Sequence, residues 1–245
     1  RLHHPETKRF YPALNLLGFC SQIASPDVAT ILEEKKMKLH DCQMAPNPRR
    51  VRIFLAEKGI DVEKVEHSIL DGETCGDEYL KINPWGTVPA LELDDGTVIR
   101  EAPAIFRFIE SQHAEPNLLG ENPLEAAEIE SWERFAELNG MGAIGEFFRN
   151  QTEVLAGRGL PGPTSLDLIP ALVDRGQARA AWFYNQLNEQ LGKHEYIGRD
   201  SYSIADITAQ CAIDFGTAVS LGIPDDCPNV ARWHEKVSAR ASAAN

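Results

Sequence analysis

The residues best suited to chemistry lie in the stretch MAPNPRRVRIFLAEKG, Met44 to Gly59. Asn47 can cap a helix, and Pro48 fits the first helical position, where no backbone N–H is needed. A helix start offers free N–H donors and a partial positive charge, so it suits an anion. Arg49, Arg50 and Arg52 follow directly. They either raise the local potential in an acidic chain or form a solvated basic face. Ala45, just upstream, carries no hydroxyl or thiol. Cys42 lies three residues before it and is expected to be a small buried hydrophobe, the commoner role of a lone cysteine. Glu101 opens a second helix, where an acid is favoured by the helix dipole whatever else it does.

These residues need elements to position them. MKLHD (Met37 to Asp41) alternates apolar and polar, as a strand does. In the helix that follows, Val51, Phe54, Leu55 and Lys58 share one face, and Gly59 is suited to ending it. VEKVEHSIL (Val62 to Leu70) reads as a second strand. VPALELDDGTVIRE (Val88 to Glu101) reads as a hairpin, with Asp95-Gly96 in the turn. APAIFRFIESQ (Ala102 to Gln112) then follows as a helix. The order is β-α-β, then β-β-α, the arrangement of a thioredoxin-like domain. After a linker rich in turn formers, the period becomes helical. Leu124 to Asn150 forms one long helical stretch, interrupted in character by Gly140, Gly142 and Gly145. AGRGLPGPTS (Ala156 to Ser165) must be a loop. Ala180, Phe183, Leu187 and Leu191 mark an amphipathic helix. SIADITAQCAIDF (Ser203 to Phe215) is a nearly all-apolar helix that opens with a capping box, Ser203 to Asp206. Val230, Trp233 and Val237 give a last helical face.

The expected divisions are an extension over 1–36, a thioredoxin-like α/β domain over 37–113, a linker over 114–123 and an all-α domain over 124–245. The extension shows no sustained period and is expected to be poorly ordered. LNLLGFC (Leu14 to Cys20) within it is only weak support for a targeting segment.

Composition narrows the function classes. Lys and Arg number 24 against 37 Asp and Glu, a net charge of -13. Such a chain is a poor candidate for binding nucleic acid or an anionic membrane, since both need clustered cations. No apolar run approaches the roughly 20 residues of a membrane span. The five cysteines are scattered. No metal-like Cys/His cluster appears, so no metal is expected. Reduced thiols and a cytoplasmic location fit this usage.

Three separated motifs resemble the soluble glutathione transferases. They are APNPRRVRIFLAEKGI (Ala45 to Ile60), NPWGTVPALELDDGTVIREAPAIFRFI (Asn83 to Ile109) and YIGRDSYSIADI (Tyr196 to Ile207), in the family's order and spacing. The resemblance implies a thioredoxin-like domain followed by an all-helical one, with glutathione as cosubstrate. It implies a cis Val88-Pro89 bond that leaves the Val88 backbone to pair with the cysteinyl part of glutathione. Thr87 occupies a position often basic in relatives, and its hydroxyl is a weaker candidate contact. Glu101 would hold the γ-glutamyl ammonium. Ala102 stands where relatives have serine, so the carboxylate keeps a backbone donor and loses a hydroxyl. That loss costs about 1.5–3 kcal/mol if nothing replaces it.

The family's thiol-activating Tyr, Ser or Cys position falls at Ala45, which can do none of this work. Some bacterial and fungal branches of the family carry T-P-N here, where the asparagine supports thiol or disulfide chemistry, and A-P-N keeps it. The resemblance therefore makes Asn47 the best candidate to donate to the sulfur, beside its alternative role as a plain helix cap. An acceptor pocket is expected between the domains, with Met141, Phe147 and Phe148 as possible lining, although aromatics at helical spacing are more often core. Trp85 either walls the site or packs. The expected reaction uses the glutathione thiolate on a small electrophile, or reduces a disulfide or peroxide. The competing reading is a catalytically weak binding or interaction protein, favoured by Ala45 and Ala102. A homodimer is implied by the resemblance alone.

Overall fold

The computed structural model describes residues 37–198 and 200–245. The described residues belong to one compact unit, Lys36–Asn245. The extension over 1–36 lies outside the described residues.

Strand β1 (Lys38–Asp41) leads into helix α1 (Pro46–Glu57) and strand β2 (Glu63–Glu66). Helix α2 (Asp77–Ile82), strands β3 (Ala90–Glu92) and β4 (Val98–Arg100), and helix α3 (Ala102–Gln112) complete the first region. The sheet order is β2-β1-β3-β4. β1 and β2 run parallel, and the other two pairings are antiparallel. The hairpin and α3 match expectation, while β2 is shorter than the expected 62–70 and α2 was not foreseen.

The pattern of β1 differs from a half-exposed strand. Leu39, His40 and Asp41 are all buried. β1 is a central strand with side chains packed on both faces. Leu39 joins the apolar cluster that contains Val51 and Phe54 of α1 and Phe106 of α3. His40 faces the other way, towards the Tyr79 ring of α2. A polar residue is tolerated there because His40 bonds at both ring nitrogens, to His67 at 2.9 Å and Glu92 at 3.0 Å.

The second region is helical: α4 (Pro123–Phe135), α5 (Gly142–Gln151), α6 (Ala171–Leu191), α7 (Ile204–Ala218) and α8 (Pro228–Ser238). The helical stretch over 124–150, expected to be interrupted at its glycines, divides at one π-helical segment, Ala136–Met141, between α4 and α5. Gly140 lies in that segment, and a Cβ there would come within 2.7 Å of the Phe183 ring. Arg179 Nη2 donates to the Leu138 carbonyl within the same segment at 2.6 Å. α6 begins nine residues earlier than the apolar pattern at Ala180 suggested.

One apolar core runs through both regions, from Leu39 and Phe54 to Phe183, Ile207 and Trp233. Lys58 carries the expected mixed role. Its stem is buried with the apolar face of α1, and Nζ pairs with Glu110 at 2.6 Å and donates to the His113 and Pro116 carbonyls. Helix α7 is almost wholly buried, and its capping box is formed by Ser203 and Asp206.

Candidate active site

The strand registers bring three features to one end of the sheet. His40 pairs with Ala90, so the end of β1 and the start of β3 coincide. Ala90 pairs with Arg100, so the end of β4 joins them. The residues beyond those ends are the turn into α1, the Val88-Pro89 pair and Glu101. Ala45 packs against a small cluster of Cys42, Tyr79 and Val88, which seats the α1 start beside Val88.

The α1 start corrects one expectation. The helix begins at Pro46, Ala45 is the N-cap residue, and no side chain caps it. Asn47 therefore lies inside the first turn and is not the cap. Proline at Pro46 removes one N–H of that turn, and Pro48 removes another. Asn47 Oδ1 accepts from Arg50 Nη1 at 2.9 Å. With the carbonyl oxygen on the guanidinium, the amide N–H donors face the other way.

The arginines correct a second expectation. Neither a raised local potential nor a solvated face describes them, because each is held by an acid. Arg49 Nη1 meets Asp214 of α7 at 2.5 Å. Arg50 Nη2 meets Glu133 of α4 at 2.5 Å, and the residue is 1% exposed. Arg52 Nη1 meets Asp41 at 2.5 Å. Burial pushes the Asp41 carboxyl up against the pull of Arg52. It pushes Asp214 up too, but the hydrogen bonds from His234 and Arg49 bring that carboxyl below its ordinary value.

The loop before β3 is tightly held. Val88-Pro89 is cis, as the resemblance implied. The Thr87 carbonyl accepts from Tyr79 Oη and from Asn83 Nδ2, both at 2.7 Å. The Thr87 hydroxyl turns to the same Asn83 nitrogen at 3.3 Å. Asn83 Oδ1 accepts from the Trp85 N–H and from Arg100 Nε. Asn83 is fully buried and organises the loop; its signal was the Asn-Pro that opens the second motif. Burial pushes the Tyr79 phenol up to about 12. The Val88 side chain is buried, whereas its N–H and C=O make no hydrogen bond among the described residues.

Glu101 has φ of 67°, rare for a residue with a side chain, and it is exposed at the start of α3. Such backbone strain persists where the surroundings over-determine it, often at ligand sites. Its carboxylate has no partner among the described residues. Ala102 is buried at the first position of α3, where its N–H has no intrahelical acceptor. Trp85 is half exposed, with Arg100 over its ring at 5.5 Å.

Other candidate side chains are buried or packed against neighbours. Cys42 is a buried cluster member, as expected. Burial pushes the Cys211 thiol up to about 12. Met141 is core, and Phe148 packs edge-on against Phe215. Among the described residues no group of three metal-binding side chains forms, and no helix is long and apolar enough to cross a membrane. The His67–His40–Glu92 chain was not foreseen. Burial, aided by the neighbouring His40, holds the His67 imidazole below its ordinary value.

Two family models match the chain, the glutathione S-transferase N-terminal domain over residues 45–112 and the C-terminal domain over 170–241. The chain is 33% identical over 211 residues to glutathione S-transferase 2 of Saccharomyces cerevisiae, covering 85% of this chain and 88% of that one. Among solved structures, a glutathione S-transferase domain-containing protein of Marinobacter aquaeolei is 33% identical with a TM-score of 0.78, covering 84% of this chain and 98% of that one. A glutathione S-transferase of Vibrio parahaemolyticus is 35% identical with a TM-score of 0.71, covering 84% and 94%. An α/β thioredoxin-like domain joined to an all-α domain, with its open residues gathered at one sheet end, defines the class. The chain belongs to the glutathione S-transferase family.

Proposed function

We propose that this transferase uses the thiolate of glutathione to attack small electrophiles, or to reduce disulfides or peroxides, with Asn47 as the group that stabilises the sulfur. The observation that carries the reading is the meeting, at one sheet end, of three open features: the uncapped start of α1, the unpaired Val88 backbone and the unpartnered Glu101 carboxylate. Glutathione has a matching group for each. Its cysteinyl backbone pairs with the N–H and C=O of Val88, as an added strand would. Pro89 fixes where that short edge ends. Its γ-glutamyl ammonium takes Glu101, and the carboxylate takes the Ala102 N–H at the start of α3. Thr87 supports the loop through Asn83 and is at most a secondary contact.

A free thiol with a pKa near 8.5 is mostly protonated at neutral pH, so the anion must be stabilised. The Asn47 amide supplies a hydrogen bond, and the α1 dipole supplies a positive end. The division into residues 37–113, 114–123 and 124–245, a homodimer, a cytoplasmic location and a detoxifying role all belong to the same proposal. The second reading, a weakly catalytic binding or interaction protein, draws on Ala45 and Ala102.

Retention on a glutathione resin and turnover of 1-chloro-2,4-dinitrobenzene test the two together. Retention with turnover is expected. Retention without any thiol transfer or disulfide reduction favours the second reading, and failure of both ends the first.

A further inference from the structure

Asn47 is a short side chain on the first turn of a helix, and its amide nitrogen makes no hydrogen bond among the described residues. Its orientation comes from one contact, with Arg50. Because a guanidinium only donates, the oxygen of the amide must face it and the nitrogen must face away. Arg50 itself has little freedom. Nε donates to Thr208 Oγ1 at 3.0 Å, Nη1 to Asn47 and to Glu137 Oε1 at 3.2 Å, and Nη2 to Glu133 Oε1 at 2.5 Å. Four of its five N–H donors are thus committed, three of them to the helical region. The Phe106 ring lies 5.7 Å from the guanidinium carbon. Glu133 is fully buried, and Thr208 bonds to Glu133 as well as to Arg50.

We infer that Arg50 is a positioning residue that aims the Asn47 amide at the glutathione sulfur, and that Glu133, Glu137 and Thr208 hold Arg50 in that role. The inference rests on the proposed assignment of Asn47 to the sulfur. Its content is that residues of the helical region, which touch neither glutathione nor Asn47, set how readily the bound thiol ionises. Lysine cannot replace Arg50, because one ammonium cannot serve acceptors on α1, α4, the π segment and α7 with a planar fork.

The test measures the thiol of bound glutathione directly, by ultraviolet thiolate absorbance against pH. Four proteins are compared: wild type, Asn47→Ala, Arg50→Lys and the double variant. Asn47→Ala is expected to raise the thiol pKa by about one unit, a roughly tenfold loss of thiolate at neutral pH. Arg50→Lys is expected to give a similar rise, and the double variant no further one, since the two act as a unit. A rise in Asn47→Ala with none in Arg50→Lys overturns the positioning role and leaves the Asn47 assignment standing. So do additive shifts, because Arg50 would then act by another route. No rise in Asn47→Ala removes the assignment itself. If Arg50→Lys does not fold, Thr208→Val carries the test: it takes away the Nε acceptor without changing charge or much volume. It should shift the thiol in the same direction by a smaller amount, and an unmoved thiol in that variant overturns the inference.

Discussion

Two helix starts in this molecule have opposite constructions. At α7, Ser203 and Asp206 form a reciprocal box, and both are fully buried. Asp206 accepts from the N–H groups of Ile197 and Ser203, from the Ser203 hydroxyl and from Trp233 Nε1, at 2.8 to 3.0 Å. Nothing is left there for a ligand. At α1, Ala45 caps nothing, two prolines thin out the donors, and Asn47 turns its oxygen inwards to Arg50. A missing cap costs about 1 kcal/mol. A helix start can go without one where a bound anion supplies the acceptor. The sealed start is architecture, and the open one is left without a side-chain cap.

Predictions follow from that contrast, the largest effect first. Asp206→Ala should lower unfolding free energy by about 3–5 kcal/mol, because four buried donors lose their acceptor together. Glutathione affinity, measured by calorimetry below the new melting temperature, should stay as it was. A melting temperature close to wild type would show that the box is not what holds α7.

Acidity gives the second effect. Burial raises the Asp206 carboxyl to about 6 from an ordinary 3.8, against the pull of its four donors. The folded state therefore favours the neutral acid. Its contribution is full below about 3.8 and is lost as pH rises through about 6, amounting to about 3 kcal/mol. Carboxyl carbon NMR should find a midpoint near 6 for Asp206. A midpoint below 4 would mean that the donors outweigh burial.

At the open start the effects are smaller and fall on chemistry. Asn47→Ala should cut kcat/KM at neutral pH by about 10- to 100-fold, or roughly 1.4–2.7 kcal/mol. Stability should fall by about 1–3 kcal/mol, through the acceptor lost to the buried Arg50 and not through a lost cap. A marked fall in the denaturant midpoint with turnover intact would return Asn47 to a structural role. Ala102→Ser should tighten glutathione binding by about tenfold or more, by restoring a hydroxyl to the carboxylate at the start of α3. Equal dissociation constants would place the carboxylate elsewhere.

Much of the fold could be read along the chain. The hairpin over Val88 to Glu101 showed in its Asp-Gly turn, α3 in its apolar period after Pro103, and the capping box in the Ser203 to Asp206 spacing. Each is a local signal. What escaped was short or non-local. Helix α2 has only six residues, too few for a period to declare itself. The π segment interrupts α4 and α5 without changing their apolar pattern. In MKLHD the polar positions looked solvent-facing, and only the layer carrying Tyr79 and the side chains of His67 and Glu92 explain why His40 is buried.

The candidate site divides in the same way. The motif placed Val88, Pro89, Glu101 and Ala102 because their positions depend on the hairpin and on the helix that follows it. Asn47 was legible as part of a helix start, though not as a residue inside it. Its neighbours were misread altogether.

The sequence by itself determined the family and most of the order of elements, and it suggested which residues to look for at the site. Tertiary structure alone decided which way Asn47 points and whether its arginines face water. The partners of Arg49 and Arg50 lie 165, 83 and 158 residues away, at Asp214, Glu133 and Thr208. No local spacing encodes such pairings. They arise because a buried guanidinium must find acceptors, and only the packed fold brings those acceptors within reach.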